Sequence, residues 1–106
     1  MTITGLVHVN VNCSNFDRSL SFYELLGFQK LVDVPPNNTV EVAAAVGMRP
    51  YTVKGALLIL RDSKTPLVLD LLEWQDPSDP SPPYEHLYHL GIARIALATD
   101  DLDSDV

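Results

Sequence analysis

Three histidines, one cysteine and a few polar residues set inside apolar runs are the side chains of this 106-residue sequence that could do chemistry. Imidazole is the one side chain whose ordinary pKa lets it act as acid, base or metal ligand near neutral pH. His8 lies in ITGLVHVNVNC (residues 3–13), where Val7, Val9 and Val11 alternate with Leu6, His8 and Asn10. That period of two predicts a strand with His8 and Asn10 on one face and the valines on the other. His86 and His89 are spaced i, i+3, which suits paired metal ligands on a helix. Leu90-Gly91 follows at once and enters another strand pattern, so these two histidines are expected to be connector residues. Cys13 has no second cysteine to pair with and reads as a small packing residue. No activated nucleophile, phosphate-binding loop or nucleotide motif is visible.

The elements that must hold these residues follow from periodicity and breakers. After the first strand, Ser14 or Asn15 is a helix cap, and Ser14 with Asp17 also fits a loose capping box. Phe16, Leu20, Tyr23 and Leu26 fall on one helical face that needs burial, and Gly27 then Phe28 can close the helix. FQKLVDV (28–34) predicts a second strand, stopped by Pro35-Pro36. The alanine-rich stretch from Thr39 to Val46 predicts a short helix ended by Gly47. YTVKGALLILR (51–61) and LVLDLLEW (67–74) predict strands joined by the turn DSKTP. QDPSDPSPPYEH carries four prolines within residues 76–83 and is a stiff connector. GIARIALAT (91–99) predicts a fifth strand, after which Asp100-Asp101 begins a helix. GIARIALATDDLDSDV parallels GLVHVNVNCSNFDRSL, so the second part is expected to be an internal repeat that has only started at Val106.

Composition narrows the function classes. At 46% hydrophobic and 20% charged residues the chain has a globular profile, and no apolar run is long enough to span a bilayer. The net charge is −7, and the excess is local: residues 73–106 hold eight acids and only Arg94, whereas residues 1–72 balance. With no basic patch to neutralise phosphates, neither nucleic acid nor an anionic membrane is an expected partner. The start lacks the basic-then-apolar pattern of a secretory signal, and a lone cysteine does not point to an oxidising compartment, so a cytoplasmic protein is expected.

HVNVNCSNFDRSLSFYELLGF resembles the opening signature of the vicinal-oxygen-chelate superfamily, the group of glyoxalases, bleomycin-resistance proteins and extradiol dioxygenases. The matching residues are the central His8, then Ser19, Leu20, Phe22, Tyr23, Leu26, Gly27 and Phe28. LDLLEW resembles the fourth strand of that family's module and GIARIALATDDL the first strand of a second one. The resemblance implies an α+β fold: a βαβββ half-barrel over residues 1–75, a Pro-rich linker over 76–90, and the start of a second, incomplete module over 91–106. It also implies two modules around a cavity, reached either by further chain of roughly 40 residues or more or by a homodimer that exchanges strand 91–99.

In metal-containing relatives the cavity holds one divalent ion (Zn, Ni, Mn or Fe) that polarises vicinal substrate oxygens. Carried over by position, His8 takes the first ligand place and Asp70 the usual Glu place. Arg94 takes a usual His place, and a protonated guanidinium has no lone pair to give a metal. Glu73 lies on the other side of its strand from Asp70 and reads as a surface charge. Asn10 should face the cavity as a ligand contact. Trp74, Tyr84 and Tyr88 are expected to cover the barrel end, and the 39–46 helix to cover the cavity. The expectation is therefore a small-molecule-handling domain whose cavity contains His8, Asn10 and an Asp70–Arg94 pair, with no cofactor. The alternative is a divalent-metal lyase, epimerase or dioxygenase with His8 and Asp70 as ligands. Whether the chain is an enzyme stays open at this point.

Overall fold

The computed structural model describes residues 1–105. It contains β1 (Val9–Asn12), α1 (Phe16–Leu25), β2 (Gln29–Val34), α2 (Val40–Ala45), β3 (Thr52–Ile59), β4 (Val68–Asp76) and α3 (Leu102–Asp105). The four strands form one sheet in the order β1-β4-β3-β2. β1 runs parallel to β4, and β4, β3 and β2 form an antiparallel meander. This is the α+β arrangement of a βαβββ module, with a short helix between β2 and β3. No helix among the described residues is long and apolar enough to cross a membrane.

Local chemistry explains where α1 starts and stops. Asn15, in an extended conformation, is the N-cap, and its side chain accepts the Arg18 N–H at 3.1 Å. At the other end Gly27 takes φ 103°, a conformation that costs a residue with a Cβ. This lets the Gly27 N–H reach the Glu24 carbonyl and the Phe28 N–H reach the Tyr23 carbonyl, the paired bonds of a Schellman ending. The Phe28 ring then packs edge-on against Tyr23. α2 repeats the device with Thr39 as cap and Gly47 beyond its end.

One core results. Phe16 and Phe28 from the α1 boundaries meet Ala56 and Leu58 of β3 and Leu69 and Leu71 of β4. Leu20 and Tyr23 pack against this cluster, with Val9, Val11 and Cys13 beside them. The pleat therefore assigns the strand faces. Odd positions of β1 and β4 look toward α1, and even positions (Asn10, Asn12, Asp70, Leu72, Trp74) occupy the second face.

Three expectations are corrected. Leu26, counted on the buried face of α1, is 44% exposed, because it is the C-cap where the chain leaves the helix. The first strand covers only Val9–Asn12, not residues 3–13: Val9 pairs with Leu69 and β4 starts at Val68, so residues 3–7 have no β4 partner to ladder with. Residues 91–99 form no strand. Their pattern suits one, but no described residue pairs with them, and a strand exists only through its ladder. α3 does begin where expected, with Asp101 Oδ1 accepting the Ser104 N–H at 3.2 Å.

Candidate functional site

The second face of the sheet carries a polar row. In register, Asn10 of β1 lies beside Asp70 of β4, and Asp70 lies beside Leu57 of β3. His8, just ahead of β1, shares their parity. Its Nε2 is 3.9 Å from Asp70 Oδ2. Asn10 donates from Nδ2 to the Asp70 backbone carbonyl at 2.9 Å, which ties the edge strand to its neighbour. Further along, Trp74 Nε1 donates to Asn12 Oδ1 at 2.8 Å, and the Trp74 and Tyr51 rings lie 4.8 Å apart.

Asp70 is the unusual member. Its side chain is 20% exposed, and Oδ1 is buried with no hydrogen-bond partner. Burial pushes the carboxyl above its ordinary value, and His8 pulls it back in part. A carboxylate with one oxygen facing a partner at long range and the other facing none is under-solvated. It offers a strong acceptor to any donor that can reach it.

The anticipated Asp70–Arg94 pair is not formed. His8 is the ion partner of Asp70, and Arg94 is within 4.0 Å of no acid among the described residues. The reason is the missing fifth strand: without a ladder, nothing brings residue 94 into register beside β1. Arg94 lines instead a cleft bounded by β1, the start of α1 and the connector, a cleft that Asp70 and His8 do not line.

His86 and His89 stay in the connector. His86 stacks on Tyr88 and lies 3.8 Å from Glu85, while His89 stacks on Tyr84 and its Nδ1 donates to the Leu90 carbonyl at 3.0 Å. Cys13 packs under the sheet; burial raises its thiol pKa, and the thiol donates to the Leu72 carbonyl. Glu73 is more than a surface charge. Its Oε1 accepts the Phe16 N–H at 2.8 Å and so caps α1 from across the sheet. Its parity with Leu69 and Leu71 was the available signal, because that face meets the helix.

Among the described residues, the donor set falls short of what a divalent metal needs. His8 and Asp70 supply one imidazole and one carboxylate, and among the described residues no three His, Cys, Asp or Glu side chains gather closely enough to hold an ion. Such ions in nitrogen and oxygen sites take at least three protein ligands as a rule. Arg94 cannot serve as a third.

No curated protein and no solved structure matches the chain at a significant level. A family model does match, over residues 5–106, and it spans the sheet, both capped helices and the His8–Asp70 pair. On that match, the chain belongs to the Glyoxalase/Bleomycin resistance protein/Dioxygenase superfamily.

Proposed function

We propose that this domain binds a small organic molecule, without a metal, through the His8, Asn10 and Asp70 row on the second face of its sheet. The observation that carries the reading is the buried and unpartnered Asp70 Oδ1 beside His8. A carboxylate in that state costs stability in the free protein, and a ligand N–H that reaches its accessible Oδ2 offsets the cost by adding a hydrogen bond to the same charge. Ammonium, amidinium and guanidinium groups suit it best, because their bond to a carboxylate is charge-assisted. Asn10 uses its amide N–H on the backbone, which leaves its carbonyl oxygen as a second acceptor for the same ligand.

The mismatch between the donors present and a metal's needs supports the metal-free form of this reading. Thermal unfolding of the purified chain with Zn, Ni, Mn or Fe(II) in one series, and with aromatic amines and amidines in another, is the test. Stabilisation by the organic cations, lost in Asp70→Asn, is the expected result. Saturable stabilisation by one divalent metal, lost in His8→Ala, would overturn the reading in favour of a metal-dependent lyase, epimerase or dioxygenase.

A further inference from the structure

The molecule also has a cleft of about 1620 Å³ between β1, α1 and the connector that follows β4, and Asn10, Asn12 and Trp74 of the second face border it. Its walls are mixed. Phe22 and Leu26 of α1 and Ile92 and Ile95 of the 91–99 segment supply exposed apolar surface. Arg18 and Arg94 supply the only cations of its lining. Neither arginine has an acid within 4.0 Å among the described residues, and neither side chain donates a hydrogen bond there; the same holds for Arg49, Arg61 and Lys64, but these do not line the cleft.

The two acids along the cleft are already engaged. Glu73 accepts from the Phe16 N–H and from Gln75, and Asp79 accepts from the Ser81 N–H. Two donors of the helix end are likewise engaged, since Phe16 N–H goes to Glu73 and Arg18 N–H to Asn15. What the cleft has to offer is two guanidinium forks with free donors and exposed apolar side chains. A guanidinium matches a carboxylate or phosphate oxygen pair in geometry as well as in charge. Exposed aliphatic and aromatic side chains along a cleft gain by covering an apolar body.

We propose that this cleft binds an amphipathic organic anion, with its carboxylate or phosphate head on Arg18 and Arg94 and its apolar body against Phe22, Leu26, Ile92 and Ile95. His8 and Asp70 do not line this cleft, although Asn10 borders both sites, and the head it takes has the opposite charge.

Calorimetric titration of the chain with decanoate, decyl phosphate, decanol and decylammonium, all below their micellar or solubility limits, tests it. The four carry straight alkyl tails that differ by at most one methylene, so the head is the main variable. The anions should bind more tightly than decanol, and the tighter of the two identifies the head. Arg18→Gln and Arg94→Gln should each weaken anion binding about fivefold, the effect of one exposed charge-assisted contact, and leave decanol unchanged. Asp70→Asn should leave anion binding as it is, so failure of the open-face reading and failure of this one are told apart. Equal binding of decanoate and decanol, or an anion preference that survives in the R18Q/R94Q double variant, would overturn the proposal.

Discussion

At the residue scale, Asp70 carries most of the functional argument, and its titration gives the argument a sign. Its carboxyl is raised above the ordinary value by burial, with His8 opposing. A raised folded-state pKa means that the native state holds the proton more tightly than the unfolded chain does. Stability associated with this group is therefore fully present below the unfolded value, near pH 4, and is lost as pH rises through the folded value. Asp70→Asn mimics the protonated form, so the variant should melt higher than the parent at pH 7, with the difference vanishing below about pH 4. A melting difference that does not change with pH would show that the carboxylate is not desolvated. The same variant should weaken binding of an organic cation by about tenfold to a hundredfold, the range for a hydrogen bond to a charged group. Glu73 makes a separate prediction. Glu73→Ala removes the acceptor of the Phe16 N–H and should cost about 1 kcal/mol in denaturant unfolding, as loss of a helix cap does. Glu73→Gln keeps an acceptor oxygen and should cost less.

At the element scale, legibility followed the range of the interaction. Caps and stops are local, so Asn15, Gly27, Thr39 and Gly47 could be read from residue type, and α1 and α2 begin and end within a residue or so of where those signals put them. Strand parity is local as well, and it places Asn10 and Asp70 on one face, with His8 following. Strand extent is not local. β1 could not be bounded from ITGLVHVNVNC, because its length is set by the residue at which β4 starts. Gly55 illustrates the same limit: nothing in YTVKGALLILR says why a glycine sits inside β3. The structure supplies the reason, since a Cβ there would lie 2.5 Å from both the Leu71 carbonyl oxygen and Leu72 Cδ2. The carbonyl belongs to the β3–β4 ladder and cannot step aside cheaply. Gly55→Ala should therefore destabilise by roughly 1–3 kcal/mol, the cost of overpacking a filled core, although alanine is ordinarily the better strand residue. A neutral result in chemical denaturation would mean that β3 and β4 can separate locally without loss.

At the scale of the whole molecule, the outcome turns on residues 91–99, where sequence pattern and structure part company. GIARIALAT has the alternation of a strand, yet it makes no ladder, and Ile92, Ile95 and Leu97 remain in contact with solvent. Alternation says which faces a strand would have; it does not supply a neighbour. The consequence reaches the candidate site, because the pairing of Arg94 with Asp70 rested on that strand. With the ladder gone, Arg94 lines the cleft that Arg18 also lines, and Asp70 keeps His8 alone. Amide hydrogen exchange reads this division directly. The amides of Leu58, Leu69 and Leu71, laddered and fully buried, should exchange only through global opening. Those of residues 92–98 have no backbone acceptor within the described chain and should exchange at close to the unprotected rate. Protection of 92–98 comparable to that of β4 would show that the segment is laddered in solution. In that case Arg94 would lie in the neighbourhood of Asp70, and the two sites would merge into one.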